Sequence, residues 1–338
     1  MTTPGATASG EDSLIARYFR PLATDPGAFG LGDDAAILTA SGDEIVVTTD
    51  AIVEGVHFLF DDPPDTIARK ALRVNLSDLA AKGATPAGFV LTLALRAADD
   101  AWLAPFARGL GEDAATYRCA LLGGDTVSTP GPLMISITAF GRVASGRMVH
   151  RRGAKPGDRV VVTGTIGDAA LGLDILRGGT VATDLADDAA AKRLLVGRYR
   201  LPQPRTALAQ AVRDHASAAM DVSDGLAGDL AKLCEASGVS AAIDAPSIPL
   251  SVSAAKLLAR RIVGIESIVA GGDDYEILCT IPEPRFEAFA QDARLAAVAV
   301  TSIGTIIAGT SAPGFWDAHG RPIPLPRLSY SHSQDSDA

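Results

Sequence analysis

Residues 219–230, AMDVSDGLAGDL, hold Asp221, Ser223 and Asp224 within four positions, where an apolar run gives way to a helical pattern broken by glycine. An apolar segment that ends in two carboxylates either turns them to water or holds cations with them. The junction also sets the fold class, because strand, turn and helix recur on both sides of it. Upstream, RVVVTG (159–164) reads as a buried strand, and TIGDAALGLDILRGG (165–179) opens a helix at Asp168 through a glycine turn of the kind that suits phosphate. A helix over 204–216 leads into the strand AAMDVS (218–223), and a helix over 224–236 leaves it. Strand SAAID (240–244), helix 253–260, strand YEILCTI (275–281), helix 284–291 and a strand near VTSIGTII (300–307) follow. This half is mixed α/β, with its sheet covered by helices.

The first half repeats the alternation. Strand EIVVTTDAIV (44–53) precedes a helix over 64–82, which has Pro64 at its first turn and Ile67, Ala71, Val74 and Ala81 at helical spacing. Asn75 and Asp78, three apart, share one of its faces. Strand GFVLTLAL (88–95), helix 99–117 and a strand pair at CALLGGD (119–125) and PLMISITAFGRV (132–143) complete the half. RRGAKPGD (151–158) has the turn and charge composition of a boundary. The chain's 338 residues also exceed the roughly 250–300 that one core organises. Two domains are therefore expected, over 13–150 and 151–310, with a disordered tail over 1–12 and an extension over 311–338.

Composition excludes several classes of function. Forty acidic against thirty basic residues give a net charge of −10, and no Lys/Arg cluster offers a surface to nucleic acid. The cysteines Cys119, Cys234 and Cys279 are too scattered for a disulfide framework or a CxxC metal site and read as core residues of a reducing compartment. The N-terminal MTTPGATASGEDS has neither a basic start nor an apolar core, and no uncharged apolar run approaches 18 residues. No membrane partner and a cytoplasmic location are expected.

Acidic residues interrupt apolar or glycine-rich segments at five places: Asp33 and Asp34 in GLGDDAA, Asp50 in VVTTDAIVEGVHF, Asp78 in NLSDLA, Asp125 in LLGGDT, and Asp221 with Asp224. Singly, each reads as a cap or turn residue. Converging without cations, each pair about 5 Å apart would repel by roughly 3 kcal/mol at an effective dielectric near 20. Many hard oxygen donors without adjacent His or Cys suit magnesium rather than zinc, and a nucleoside triphosphate would supply the remaining ligands. The chain has no GxxxxGK[ST] loop, no HRD or DFG triplet, no GxGxxG fingerprint and no GxSxG elbow.

Seven ordered motifs, GDDAA, TTDAIVEGVHF, NLSDLAAKGA, GGDT, RRGAKPGD, AMDVSDGL and GGDDYE, resemble those of the thiamine-monophosphate kinase family, over about Ser13 to Tyr330. That family belongs with aminoimidazole ribonucleotide synthetase and selenophosphate synthetase. The resemblance implies a two-domain PurM-like α/β (α+β) fold: an N-terminal mixed sheet with helices that pairs across a homodimer, and a C-terminal α/β domain. It implies ATP-dependent phosphorylation of thiamine monophosphate to thiamine diphosphate, the final step of thiamine diphosphate biosynthesis, by in-line transfer assisted by several magnesium ions. It assigns magnesium to Asp34, Thr48, Thr49, Asp50, Asp78, Asp125, Asp221 and Asp224, and ATP to Gly124, Asp125, Arg151 and Ser223. Substrate contacts fall to His57, Asp273 and Tyr330, and Asp33 reads as a turn residue beside Asp34. No residue is assigned as a catalytic base.

The chain departs from the family pattern twice. GGDDYE replaces the usual GGEDYE, so Asp273 is one methylene shorter, and SYSHS keeps Tyr330 but has Ser333 where a second aromatic is expected. The two relatives fit less well. Selenophosphate synthetases resemble one another in an early cysteine or selenocysteine, whereas the first cysteine here is Cys119, and aminoimidazole ribonucleotide synthetase has Gly-Thr-Lys where this chain reads EGVHF. Plainer readings stand beside three of the assignments: His57 packs among Val56, Phe58 and Leu59, Arg151 and Arg152 form a solvated linker pair, and Tyr330 pins the tail.

Overall fold

The structure, a computed structural model, describes residues 14–26, 28 and 42–329. It divides into two compact units, Met1–Asn75 with Pro86–Arg142, and Leu76–Thr85 with Val143–Ala338.

The first unit carries four strands, β1 (Asp43–Val53), β2 (Thr85–Leu95), β3 (Ala120–Ser128) and β4 (Met134–Ala144), in the order β1-β4-β2-β3. Along β4, buried and half-buried residues alternate, with Ile135, Ile137 and Ala139 on the buried side, so one face of the sheet packs and the other does not. Helix α1 (Pro64–Ala81) and helix α2 (Asp100–Thr116) supply the apolar cover, including Ala68, Leu72, Leu103, Phe106 and Leu110. Asp99 caps α2, accepting the Ala101 amide at 2.9 Å. The carboxylate of Asp113 on α2 is buried and accepts Arg69 Nη1 of α1 at 2.6 Å and Arg73 Nη2 at 3.0 Å. β3 runs parallel to β2, with α2 as the crossover between them. The two strands expected as a pair, β3 and β4, are therefore not neighbours: β3 takes the outer side of β2, and β4 inserts between β2 and β1.

The second unit is built on six strands, β5 (Arg159–Thr163), β6 (Ala218–Asp221), β7 (Ser240–Asp244), β8 (Ile277–Ile281), β9 (Val300–Ile307) and β10 (Gly314–Trp316), ordered β10-β7-β9-β5-β8-β6. Only β10 with β7 is parallel. Both faces are covered. Val160 and Val162 of β5 enter one core with Leu226, Leu230 and Ile303, while Val161 enters another with Cys279, Ile281 and Phe289. Two-sided burial is why β5, β6 and β8 read as continuous apolar runs. The helices are α3 (Asp168–Leu176), α4 (Thr180–Asp184), α5 (Ala189–Arg200), α6 (Ala209–His215), α7 (Leu226–Ser237), α8 (Val252–Ala259), α9 (Ile265–Val269) and α10 (Phe286–Leu295). Helices α4, α5 and α9 and strand β10 have no counterpart in the sequence reading. All three cysteines are buried and unbridged. Burial pushes the Cys119 and Cys279 thiols up to about 12 and Cys234 up to about 11, which leaves them inert.

Candidate active site

In the second unit β6 ends at Asp221, and Val222–Gly225 turn the chain into α7. Gly225 has φ +111°, and a Cβ there would stand 2.8 Å from the Ala270 carbonyl carbon, so the turn requires glycine. Asp229, fully buried on the first turns of α7, accepts the amides of Ser223 (3.0 Å) and Asp224 (2.9 Å) through Oδ2. Lys232 Nζ lies 2.8 Å from Asp229 Oδ1 and 2.5 Å from Asp224 Oδ2. Burial holds the Asp229 carboxyl above its ordinary range, against the Lys232 ammonium. Asp221 is buried, whereas Ser223 and Asp224 are half-buried.

The GGDDYE segment is laced to this turn by main-chain hydrogen bonds. Asp273 N donates to Ser223 O, Tyr275 N to Val222 O and Val222 N to Glu276 O, all at 2.8 Å. Asp273 and Tyr275 take left-handed conformations, φ +71° and +50°, so the three acids of the segment face different surroundings. Asp274 is buried and accepts the amides of Gly167 (2.7 Å) and Ala169 (3.3 Å) at the start of α3, and desolvation raises its carboxyl well above the usual range. The glycine turn expected to suit phosphate is thus filled by a carboxylate of the protein itself. Glu276, also buried, accepts Thr163 Oγ1 (2.6 Å), Arg198 Nη2 (2.6 Å), and Arg205 Nε (2.7 Å) and Nη2 (2.6 Å). Asp273 alone of the three acids is half-exposed. It borders a cavity of about 350 Å³ lined also by Asp174, Arg177, Thr180, Ile262 and Arg327.

Asp78, on the part of α1 that belongs to the second unit, joins the same neighbourhood. Lys82, one turn further on, donates Nζ to Ala219 O at 2.8 Å, and Ser77 Oγ donates to Tyr275 O at 3.3 Å. Burial lowers the Lys82 pKa, the Asp221 and Asp78 carboxylates raise it and Arg151 lowers it, so these four charges act on one another. Asp78, Arg151, Asp221, Ser223, Asp224 and Asp273 thus gather on one unit.

The first unit separates its candidates. Thr48 and Asp50 are half-buried and Thr49 exposed on β1. Thr49 Oγ1 donates to Ile137 O (3.2 Å) and accepts from Thr138 Oγ1 (3.0 Å), so it also ties β1 to β4. Gly124 and Asp125 are exposed on β3. A Cβ on Gly124 would lie 1.9 Å from Leu91 O, so the parallel ladder demands this glycine whether or not a ligand approaches it. With β4 and β2 between them, β1 and β3 are about 14 Å apart at roughly 4.8 Å per strand. His57 Nδ1 accepts the Val53 amide at 3.1 Å, which puts the hydrogen of the neutral ring on Nε2. Asp33, Asp34 and Tyr330 lie outside the described residues.

Among the described residues no three or more of His, Cys, Asp and Glu form a group that could hold a metal ion. The residues that sequence reasoning missed are those holding the motif loops: Lys82, Arg198, Arg205, Asp229, Lys232, Asp274 and Glu276. Asp229 and Lys232 carried a legible signal in their i,i+3 spacing on a helix that follows two aspartates.

The AIR synthase related protein family matches this chain in both its domains, the N-terminal domain over residues 32–143 and the C-terminal domain over 155–316. The thiamine-monophosphate kinase of Caulobacter vibrioides is 44% identical over 335 residues, covering 97% of this chain and 92% of the relative. A crystal structure of thiamine-monophosphate kinase from Stenotrophomonas maltophilia superposes with TM-score 0.79 at 37% identity, covering 90% of this chain and 94% of the other. A structure of AaThiL complexed with AMPPCP and TMP superposes with TM-score 0.75 at 28% identity, covering 91% and 97%.

Proposed function

This chain belongs to the thiamine-monophosphate kinases, ATP-dependent phosphotransferases within the AIR synthase related family, and on that premise we propose how its residues divide the phosphorylation of thiamine monophosphate. ATP phosphates are met by Gly124, Asp125, Arg151 and Ser223. The acceptor is met by His57, Asp273 and Tyr330. Asp34, Thr48, Thr49, Asp50, Asp78, Asp125, Asp221 and Asp224 hold several magnesium ions. The observation that carries this reading is the set of three main-chain hydrogen bonds joining Val222 and Ser223 to the Asp273–Glu276 segment, which tie the nucleotide-side loop to the acceptor-side loop. The donor chemistry fits magnesium, because that ion takes hard carboxylate oxygens and completes its shell with waters and substrate phosphates.

The acceptor needs no protein base. A phosphate monoester has its second pKa near 6, so it is largely dianionic at about pH 7 and is already a nucleophile. The work left to the chain is positioning. His57 in its Nε2–H form offers a hydrogen-bond donor, Asp273 offers a carboxylate beside the cavity, and the lacing fixes the spacing between Ser223 and Asp273. Magnesium, when bound, neutralises charge on the phosphoryl groups. The domain boundary at 150, the Tyr330 extension over 311–338, a cytoplasmic location and a homodimer through the first unit belong to the same reading.

ADP release with thiamine monophosphate as acceptor tests it, and free thiamine serving equally well would sink it. Asp273→Ala should raise the KM for thiamine monophosphate at least about tenfold, the loss of one charge-assisted contact, with little change in the KM for ATP. The homodimer has its own test, since a site completed by a second copy could use the β1 edge of one protomer and the β3 edge of the other. Mixing inactive Asp50→Asn and Asp125→Asn proteins should then restore roughly a quarter of wild-type activity, from the half of the dimers that are mixed and carry one intact site each. No recovery on mixing would exclude a site shared in this way.

A further inference from the structure

We propose that Lys232 is the resident counter-cation of the Asp221–Asp224 turn: it neutralises Asp224 while no metal is bound, and it keeps magnesium from occupying Asp224 until nucleotide phosphate arrives with it. The proposal rests on the reading of Asp224 as a magnesium ligand. Its basis is the allocation of carboxylate oxygens around one ammonium group. Asp229 spends Oδ2 on the amides of Ser223 and Asp224, and gives Oδ1 to Lys232. The remaining reach of Nζ goes to Asp224 Oδ2 at 2.5 Å. Lys232 stands one turn beyond Asp229 on α7, so the helix fixes where its stem begins. Paired with both carboxylates, the lysine presents an ammonium to the turn.

Two consequences follow from electrostatics. Without metal, Lys232 offsets the repulsion between Asp224 and the buried Asp229, and holds the turn in one geometry. A divalent ion held by Asp224 would share that carboxylate with the Lys232 ammonium, and the +1/+2 repulsion would outweigh the benefit of a hydrogen bond that merely orients the carboxylate. Bare magnesium is therefore disfavoured at Asp224. Magnesium carried by a triphosphate brings negative charge with it and escapes the penalty. The arrangement would couple metal occupancy to nucleotide occupancy.

The test uses the full chain with Lys232→Met, which keeps an unbranched stem and removes the charge. Three readouts are expected: a lower melting temperature without metal, a larger rise in melting temperature on adding magnesium without nucleotide, and a half-saturating magnesium concentration about tenfold lower by calorimetry, the size of a partly screened charge contact. Lys232→Arg should return all three toward wild type, and Lys232→Gln serves as the charge-free variant if Met does not fold. An unchanged magnesium half-saturation would overturn the proposal, and so would a weakened one, which would make Lys232 an orienting group. A raised KM for ATP with unaltered metal binding would also overturn it and make Lys232 a phosphate contact. Asp224→Asn separates this from the underlying reading. If that variant leaves magnesium binding intact, Asp224 is no ligand and the premise fails; if it weakens binding while Lys232→Met changes nothing, only the counter-cation fails.

Discussion

Asp50 and Asp221 both stand on strands, yet their surroundings are opposites. The β6–α7 turn after Asp221 is held from three sides: Asp229 takes its amides, Lys232 takes Asp224, and the Asp273 segment hydrogen-bonds to its main chain. Around Asp50 and Asp125 the donors lie on opposite edges of a four-stranded sheet, and Thr49 is engaged with β4. A buried charge network can preorganise a site within one unit. Edge strands cannot do this alone, because what they present depends on what comes to lie against them. The second unit therefore presents its candidate residues on a braced turn, and the first presents its own on two separate edges of a sheet.

The largest effect should come from the braced turn of the second unit. Asp221→Asn or Asp224→Asn should lower turnover at saturating magnesium-ATP by at least about a hundredfold, because a group that aligns charge on the transferring phosphoryl is lost. The fold should survive, since no apolar contact is removed. ADP release, read beside a thermal melt, checks this. Wild-type turnover in either variant would remove that position from the site and weaken the contrast.

Next in size is the network that holds the acceptor segment. Glu276→Gln removes the buried carboxylate that accepts from the largely buried Arg198 and Arg205, and should destabilise by about 3 kcal/mol in chemical denaturation. A cost under about 1 kcal/mol would put this network in the class of exposed ion pairs and erase the contrast.

Legibility followed the same division. Strands 159–163, 240–244 and 300–307 could be read because burial on two faces, or a clear turn at each end, leaves few alternatives. Helix α5 was missed although Asp188 caps it at 2.9 Å from the Ala191 amide and Ala191, Leu195 and Tyr199 recur four apart, a start signal obscured by the preceding acidic, alanine-rich run. The motif acids could be found as a set, but their allocation could not. Nothing in GGDDYE says that the second acid caps α3, that the third binds two arginines and that only the first stays half-exposed. That outcome depends on backbone conformations at Asp273 and Tyr275, and on partners such as Gly167 and Arg205 that lie far away in the chain. The strand order β1-β4-β2-β3 was hidden for the same reason, because adjacency in a sheet is set by crossover geometry rather than by local pattern.

The smallest effect is a pH signature of the buried acid in that segment. Asp274 has a folded-state pKa raised well above the ordinary carboxylate value, first because burial penalises its charged form. A raised folded pKa means that the native state binds its proton more tightly than the unfolded chain does. Its contribution to stability is then fully present below the unfolded pKa and is lost as pH rises through the folded one. On lowering the pH from 7 toward 5, wild type should therefore gain stability relative to Asp274→Asn, which has no proton to bind there. The two melting temperatures should converge or cross in that window, while both variants share the acid losses of the remaining carboxylates. Asparagine keeps one oxygen to accept the Gly167 amide, so α3 should stay capped and the comparison should isolate the charge. Parallel profiles from pH 7 to 5 would mean that Asp274 does not change protonation in that window and that its amide contacts already compensate its burial. In that case the acceptor-side segment would rest on Glu276 and its two arginines, and Asp274 would count as an ordinary helix cap.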